Sequence, residues 1–545
     1  DQVVANTRPA QDDNGDFANF PDRRGSFTKG LQHDGSTGLV DTGAMNNFVA
    51  ALGQPRTQVF QAIENIANTD RGAGAQTRQW VSPIAGRGFA VSGGDPQQYG
   101  STLVPPAPAF GSPELTFEIA ENYWMALLRD VPFSQYSTNS LAVAAATELT
   151  SLRTAARTDR AAKGLPAETL APVENDSITP RTLFRGVSVG DLNGPYLSQF
   201  LCHPVPFGVQ GFAQRNKTLV AERDFMTSWD EWVKVQNGER RDFSAMDFDP
   251  VLRYTRNGRD LAQWVHIDVL FQGYFNACLI LLQGAGTPSS VGGGIGAKRS
   301  NANPYSIDPG NRRQAGFASL GDPEHIAMMC EVAPLALKAV WFQKWYVHLR
   351  MRPEVYAGRI DRQRAAVKDF GLPAELVNSE AVQRTVAKYG SALLPMAFPE
   401  GSPMHPAYGA GHATVAGACV TILKALFKGD EKFPDPVDVV VDTNGQEHLV
   451  PYQGPGGVND LTIEGELNKV ASNVALGRNV AGVHWRSDGT YSLRLGEQVA
   501  IDLLTAYARS YAEFGTAATV FEFRKFDGTP VTISSQGAMA MAAGS

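Results

Sequence analysis

The stretch HPAYGAGHATVAGACVTILKALFKG, residues 405–429, decides the fold because it joins a glycine-containing loop to a strongly apolar helix. Apolar side chains recur along this helix at a spacing of three or four residues: Val415, Cys419, Ile422 and Leu426. The spacing places them on one face, as expected for a helix that buries a stripe against its neighbours. Gly429 is a suitable residue to end it. The stretch therefore predicts a core helix that begins near Gly411.

The start of this helix carries residues that suit an oxyanion. Gly411 lies where the loop meets the helix, so its N–H and the helix dipole would favour a bound anion. His412 follows as a candidate acid or base, and His405 lies seven residues before it. Sites of this kind usually add a hydroxyl beside the glycine, but the neighbour here is Ala410. Alone, the stretch fits an anion site and an ordinary helix start equally well.

The composition of the whole chain narrows the class of protein. Its 545 residues are 43% apolar and 19% charged, which is typical of a soluble globular protein. The net charge is −7 and Lys and Arg are spread along the chain, so no nucleic-acid footprint is expected. No stretch is predicted to span a membrane. The N-terminus has no secretory signal pattern, which leaves localisation open, with export or a cell-surface location as alternatives.

The four cysteines do not indicate a metal or redox motif, because none of them forms a CxxC pair. A single disulfide is left open. The hydrophobic patterning predicts a mainly α fold of helical bundles, with two four-helix bundles, small β-hairpins and long loops. We expect residues 1–110 to form a coil-rich N-terminal arm with short helices. Residues 111–545 are expected to form one α-helical domain, with the active site in 340–490.

Several elements can be placed by their start and stop signals. Apolar helical runs cover about 112–131, 139–164, 259–286, 323–352 and 488–514, and a Gly- and Ser-rich loop covers 284–321. Asn-Gly and Asp-Gly turns predict two hairpins, in VDVVVDTNGQEHLV at 437–450 and FEFRKFDGTPVTI at 521–533.

A second candidate segment is KWYVHLRMRP, residues 344–353. Lys344 and Arg352 are eight residues apart, so on one helix they would lean to a similar side. A lysine and an arginine fork together suit an oxyanion. A solvated basic face explains the segment alone better, although the apolar run before Lys344 indicates burial.

A third candidate segment is GRNVAGVHWRSDG, residues 477–489, with Arg478 and His484 six residues apart. Asp488 follows His484 by four residues, so its carboxylate could hold one imidazole nitrogen and leave the other basic. Taken alone, this segment is better explained by a surface salt bridge at a helix end.

Taken together, the three segments resemble the signature of the vanadium-dependent haloperoxidase and acid phosphatase superfamily. That signature is a Lys and Arg-Pro segment, then Pro-Ser-Gly-His, then Arg, His and Asp. The runs AENYWMALLRDVPF, LFQGYFNACLILL and HATVAGACVTILKA also look like bromoperoxidases of red algae and cyanobacteria. The resemblance covers most of the chain from about residue 110 onward.

The resemblance implies a vanadate site. In the family pattern, His484 matches the histidine that binds vanadium axially. Lys344, Arg352 and Arg478 match the residues that neutralise the equatorial oxygens, and Lys344 also polarises bound peroxide. Gly411 matches the backbone N–H donor.

Four further positions match the family pattern around this site. His412 matches the acid–base histidine, and His405 matches a histidine that bromoperoxidases carry where chloroperoxidases have an aromatic residue. Asp488 is the candidate that orients the ligand histidine, and Trp341 matches a position on the halide side. Ala410 departs from the pattern because the family has serine there, so one hydrogen bond to the oxyanion would be lost.

The function implied by the resemblance is oxidation of bromide and iodide, in preference to chloride, with hydrogen peroxide. The product would be a hypohalous acid equivalent that halogenates organic acceptors. The resemblance also implies a homo-oligomer, as a dodecamer, and a structural calcium ion for which Asp308 and Asp322 are candidates. Asp268 could pair with a site arginine or make an ordinary buried contact.

Two other functions stay open from the sequence. An acid phosphatase of the same superfamily would use His484 as the nucleophile, although the length of the chain and the long gaps between motifs argue against it. A non-enzymatic assembly protein with a decayed vanadate site is the other alternative, and Ala410 is the residue that favours it.

Overall fold

A computed structural model describes residues 9–166, 170–241, 247–283, 294–306, 313–454, 460–514 and 518–540. The described chain is mostly helical, as predicted, with a few short antiparallel pairs of strands. The helices are α1 Asp16–Asn19, α2 Thr42–Leu52, α3 Val59–Glu64, α4 Pro113–Leu127, α5 Ser140–Ala162, α6 Trp229–Gln236, α7 Gly258–Trp264, α8 Gln272–Leu282, α9 Asp322–Phe342, α10 Pro353–Arg364, α11 Ala374–Val377, α12 Glu380–Tyr389, α13 Gly411–Leu426, α14 Ile463–Val480 and α15 Arg486–Ser510.

The helix α13 lies at the centre of the core. It packs against α9, α14 and α15, and nearly all of its residues are buried, including Val415, Cys419 and Ile422 of the predicted stripe. The helix begins at Gly411, as predicted, but it ends at Leu426 rather than at Gly429. Because α13 is surrounded on several sides, its first turn is held rigidly at the place where the candidate site residues meet.

The predicted helix over 259–286 is wrong, because the structure divides it into α7 and α8. Residues 265–271 between them form a loop with polar contacts, in which the Val265 carbonyl accepts a hydrogen bond from Arg478. Apolar side chains dominate this run, and periodicity alone does not show where the helical hydrogen bonds stop.

The predicted single helix over 323–352 is also wrong. The helix α9 ends at Phe342, a π-helical turn covers Gln343–His348, and Leu349 then adopts a φ of 44°. Lys344 therefore lies in the π-helical turn, and Arg352 is the residue that precedes α10. Such single π turns are common at functional sites. The two cations still approach the same loop, but by a change of chain direction and not along one helical face.

Both predicted hairpins are present. Strand β3 (Val437–Val441) pairs with β4 (Glu447–Pro451), and β5 (Thr519–Arg524) pairs with β6 (Pro530–Ser534), to which β7 (Gly537–Ala540) adds a third strand. A short hairpin of β1 (Val205–Phe207) and β2 (Gln210–Phe212) was not predicted, because its turn lacks the Asn-Gly or Asp-Gly signal. All three small sheets are additions to the helical core.

The N-terminal part contains α1 to α3 and four short 3₁₀ helices, at Asn68–Asp70, Gly74–Gln76, Pro83–Arg87 and Pro96–Gln98. Two more 3₁₀ helices lie at Phe133–Thr138 and Gln199–Leu201. One described helical stretch, Asp322–His348, is long and apolar enough by composition to cross a membrane. Its packing against α13 and α15 accounts for its apolar character as a core helix. All four cysteines are free thiols.

Candidate active site

The site is built where the π-helical turn after α9 and the start of α10 meet the loop before α13. Lys344 is fully buried, and its Nζ donates hydrogen bonds to the carbonyl oxygens of Pro406 (2.8 Å) and Ala407 (3.0 Å). Arg352 is also fully buried, and its Nε donates to the His405 carbonyl at 3.0 Å. An ammonium group has three donors, so Lys344 keeps one for a further acceptor.

The third segment reaches the same place through His484. The His484 Nδ1 atom is 2.8 Å from Asp488 Oδ2, and its Nε2 atom is 2.9 Å from the Arg352 guanidinium. Since the carboxylate accepts from Nδ1–H, the lone pair belongs to Nε2, which is the arrangement of a ligand histidine. The prediction that Asp488 orients His484 fits this geometry. His484 precedes α15, however, so the contact arises from the turn into that helix and not from one helical face.

The three buried cations of the site have lowered pKa values. Burial lowers the pKa of Arg352 to about 9 and that of Arg478 to about 10. Burial, together with the neighbouring Arg352, lowers the pKa of Lys344 well below its usual range. In the described part of the chain, each donates to carbonyl oxygens or imidazole nitrogens and not to a carboxylate. The site is therefore short of negative charge.

Arg478 and His412 are held by the loop between α7 and α8. Arg478 donates to the Val265 carbonyl at 2.8 Å, and its Nε has no hydrogen-bond partner although it is buried. His412 Nε2 lies 3.0 Å from Asp268 Oδ1, with the Asp268 side chain only 6% exposed. Burial lowers the pKa of His412, whereas Asp268 opposes that shift. Asp268 therefore binds the candidate acid–base histidine directly and acts on the arginine only through its charge.

The N-terminus of α13 supplies backbone donors. Ala410 precedes the helix and provides no side-chain cap, so the first N–H groups, beginning at Gly411, are left for another acceptor. A Cβ atom added at Gly411 would lie 3.2 Å from the Trp341 ring, so a larger residue would narrow the space beside the helix start. The backbone N–H of Ala410 donates to Ser492 Oγ at 2.8 Å. A serine hydroxyl at position 410 is absent, as noted from the sequence.

His405 and Trp341 lie side by side next to Lys344. The centroids of the two rings are 4.8 Å apart, and Lys344 Nζ lies 5.7 Å from the Trp341 ring. Burial and the charges of Lys344 and Arg352 lower the pKa of His405 well below its usual range. A neutral imidazole and an indole thus border the cationic pocket.

Sequence reasoning missed the carboxylates and arginines behind the pocket. Arg350 donates to Asp488 Oδ1 at 2.7 Å and to Glu118 Oε2 at 2.8 Å, so it fixes the carboxylate that orients His484. A usable signal was present in α4. Its carboxylates recur at helical spacing inside an apolar run and pair with three different arginines: Glu114 with Arg160, Glu118 with Arg350, and Glu121 with Arg486.

The donor set fits a tetrahedral or bipyramidal oxyanion such as vanadate. The buried Nε of Arg478 without a partner, the spare donor of Lys344 and the uncapped start of α13 are the groups that such an anion satisfies. The lone pair at His484 Nε2 suits a transition metal.

Comparisons with known proteins agree with this chemistry. Residues 325–513 match the family model of the second helical-bundle domain of VCPO. The chain is 35% identical to the vanadium-dependent bromoperoxidase of Corallina pilulifera, covering 93% of this chain and 90% of that protein. It is 33% identical to the vanadium-dependent bromoperoxidase of Ascophyllum nodosum, covering 95% and 87% of the two chains.

A solved structure has the same fold. The homohexameric second vanadate-dependent bromoperoxidase of Ascophyllum nodosum matches with a TM-score of 0.85 at 30% identity, over 98% of this chain and 88% of that chain. Together with the pocket, these relatives define the helical-bundle class to which the fold belongs. The chain belongs to the vanadium-dependent bromoperoxidases. It is accordingly an enzyme that uses vanadate, hydrogen peroxide and a halide, and the hexameric relative supports a homo-oligomer.

The structure describes only one of the two candidate calcium ligands. Asp308 lies outside the described residues, and Asp322 pairs with Arg299 at 2.5 Å. Among the described residues, no group of three or more His, Cys, Asp or Glu side chains could hold a metal ion.

Proposed function

We propose that Lys344, Arg352, Arg478, Gly411 and His484 form the vanadate site of this bromoperoxidase. The observation that carries the proposal is the pocket of buried cations that lack carboxylate partners and surround a histidine whose Nε2 bears the lone pair. Burying charges without counter-charges is costly, so such a pocket is expected where an anion is bound.

The proposed site residues offer different types of hydrogen-bond donor to the anion. Arg352 and Arg478 offer guanidinium N–H groups, Lys344 offers a compact charge, and Gly411 offers a backbone N–H at a helix start. His484 would hold the metal through Nε2, while Asp488, fixed by Arg350, keeps the proton on Nδ1. Bound vanadate supplies a Lewis acid that activates hydrogen peroxide toward attack by a halide.

His412 is the proposed acid–base residue. Asp268 occupies its Nε2, which leaves Nδ1 to accept a proton from peroxide and to release it later. His412 retains partial exposure, with 22% of its side chain accessible, so it can exchange protons with solvent. The lowered pKa keeps the imidazole in the basic form at neutral pH. With an oxyanion bound to offset their burial, Lys344 and the two arginines would carry positive charge beside the reacting oxygens and polarise them.

His405 and Trp341 are proposed to border the halide side. His405 is buried and held by Arg352, whose guanidinium lies 3.0 Å from its Nδ1. A neutral imidazole beside Lys344 and an aromatic face suit a large polarisable halide, so we expect bromide and iodide to be used in preference to chloride. Organic halogen acceptors would receive the oxidised halogen.

The test is a bromination assay on protein stripped of metal by a chelator. Bromination of phenol red should require vanadate, bromide and hydrogen peroxide together, and hydrolysis of p-nitrophenyl phosphate is measured in parallel. Turnover of the ester alone would support the phosphatase alternative. If the protein neither bound vanadate nor brominated phenol red, the result would support an assembly protein with a decayed site.

Three finer features stay predictions, two from the resemblance and the last from the composition of the chain. They are a dodecamer as the assembly, a structural calcium ion near the loop before α9, and the division into a coil-rich arm over 1–110 and a catalytic domain over 111–545. Analytical ultracentrifugation, metal analysis of purified protein and limited proteolysis test them separately.

A further inference from the structure

One short loop contacts two proposed site residues. Between α7 and α8, the Val265 carbonyl accepts a hydrogen bond from Arg478 at 2.8 Å, and Asp268 Oδ1 lies 3.0 Å from His412 Nε2. The two contacts are three residues apart on the same segment, so any movement of this loop changes the position of a cation and of the acid–base histidine together. The question is what holds the loop.

His266, which lies between these two contacts, links the loop to a more distant segment of the chain. His266 Nε2 lies 2.7 Å from Glu400 Oε1, and the His266 ring stacks on Phe398 with a centroid distance of 3.6 Å and an interplanar angle of 13°. The Phe398 side chain is almost fully buried. The imidazole is thus fixed both through its edge and through its face.

The backbone of Glu400 is itself held by two cations. Its backbone carbonyl accepts hydrogen bonds from Lys29 Nζ at 2.9 Å and from Arg78 at 3.2 Å. Lys29, which is 1% exposed, also pairs with Glu354 at 2.9 Å, two residues after Arg352. A continuous set of polar contacts therefore joins the N-terminal part of the chain, the start of α10 and the loop between α7 and α8.

We propose that Glu400 and His266 are a positioning pair, which holds the loop 265–268 so that Arg478 and His412 are correctly placed. Neither residue needs to contact a reactant. The expected effect of this pair on catalysis rests on the proposed function. The structural role of the pair, which is to fix the loop, does not depend on that function. Residues that orient site groups in this way typically change activity or cofactor affinity by about 10- to 100-fold when they are removed.

The pair also has an electrostatic effect that a test must separate from positioning. Burial lowers the pKa of Arg478, whereas the charges of Asp268 and Glu400 oppose that shift. Glu400→Gln removes the charge but keeps an oxygen that can accept from His266. Glu400→Ala removes both, and His266→Ala removes the anchor while Glu400 keeps its charge.

The experiment compares these three variants with wild-type protein, first without vanadate. Hydrogen–deuterium exchange, read by mass spectrometry on peptides that cover 265–271, reports the order of the loop. Asp442→Ala is the matched control, because Asp442 and His448 form another histidine–carboxylate pair, at 3.0 Å, in the hairpin of β3 and β4. Isothermal titration with orthovanadate and the pH profile of bromination follow on the same samples.

We expect faster exchange in 265–271 for Glu400→Ala and His266→Ala, and wild-type exchange for Glu400→Gln and Asp442→Ala. Vanadate affinity and bromination should fall by about 10- to 100-fold in the first two variants only. A looser loop also holds Asp268 less closely to His412, so the pKa of His412 should fall. The acid limb of the bromination pH profile should then move to lower pH. The double variant Glu400→Ala with His266→Ala should lose little more than His266→Ala alone, because both changes remove the same hydrogen bond and only His266→Ala also removes the stacking on Phe398.

Two results would overturn the proposal. Unchanged exchange in 265–271 for His266→Ala, whose partly exposed side chain should tolerate the change, would show that the pair does not hold the loop. A loss in Glu400→Gln equal to that in Glu400→Ala would show that charge, not positioning, matters. If wild-type protein fails to brominate while the loop responds as expected, the proposed function fails and the positioning role stands.

Discussion

Two pairs of buried arginines lie in the same part of this enzyme, and their pKa values are shifted in opposite directions. Burial lowers the pKa values of Arg352 and Arg478 to about 9 and about 10. Burial would act in the same way on Arg350 and Arg486, but their carboxylate partners raise the pKa values above the ordinary range. The partners decide the difference, since all four side chains are buried.

The contrast separates two uses of the same side chain. Arg350 is neutralised by Glu118 and Asp488, and Arg486 by Glu121, so these two arginines have a structural role. The cations of the pocket are left without such partners, and their charge is available to an incoming oxyanion. Under the proposed function, vanadate bound in this pocket would offset the electrostatic cost of burying these charges.

The largest expected effect is on stability, from the paired group. Arg350→Met leaves Asp488 and Glu118 buried without a counter-charge, so we expect a loss of about 3–5 kcal/mol in the free energy of unfolding. Urea denaturation of the metal-free protein measures it. Arg352→Met should cost clearly less, because it strands no carboxylate. An equal loss in the two variants would remove the distinction between the groups.

The next effect is on vanadate affinity, from the unpaired group. Arg352→Met removes charged donors worth about 1.5–3 kcal/mol each, so we expect affinity to fall about 100-fold or more. Isothermal titration measures the dissociation constant. Lys298→Met, at a lysine whose side chain is 76% exposed, is the control for net charge and should leave affinity unchanged. Equal affinity in wild-type protein and Arg352→Met would refute the role of this arginine.

A smaller gain is expected at the helix start. Ala410→Ser restores a hydroxyl where the family carries one, and a hydrogen bond to a charged group of about 1.5 kcal/mol corresponds to about 10-fold tighter vanadate binding. The same titration measures it, with Ala418→Ser, further along α13, as the control for a serine buried in this helix. No change in affinity or bromination rate would show that the hydroxyl is dispensable in this chain.

The smallest effect concerns pH. Asp268 opposes the lowering of the His412 pKa by burial, so Asp268→Asn should lower that pKa further. His412 then stays in its basic form to a lower pH, and the acid limb of the bromination profile moves downward. The profile of kcat/KM for hydrogen peroxide measures the shift. Movement of the acid limb to higher pH would contradict the assignment of His412 as the base.

Much of the candidate site could be proposed from the sequence because its parts are short and local. Gly411 and His412 lie at the start of an apolar helix, which makes them candidates, and the spacing of four residues between His484 and Asp488 allows an oriented imidazole. The resemblance then joined these segments, which spacing alone could not do. The mainly helical fold and both hairpins followed from periodicity and turn residues in the same way.

The parts that were not predicted depend on contacts between distant segments. The helix predicted over 259–286 includes the loop that carries His266 and Asp268, because apolar side chains dominate the run and the partners of these two residues lie far away in the sequence. The role of Arg350 could not be predicted, because nothing near it in the sequence indicates that Glu118, 232 residues away, is its partner. Lys29 lies 325 residues from Glu354 and poses the same difficulty.

The most direct test of the central claim is a crystal structure of the enzyme with vanadate, located by the anomalous signal of vanadium. We expect vanadium bonded to His484 Nε2, with its oxygens in contact with Lys344, Arg352 and Arg478. The Arg352 guanidinium, now 2.9 Å from that nitrogen, should have turned toward the oxyanion. Vanadium bound elsewhere, or Arg352 still donating to Nε2 with the metal present, would contradict the account.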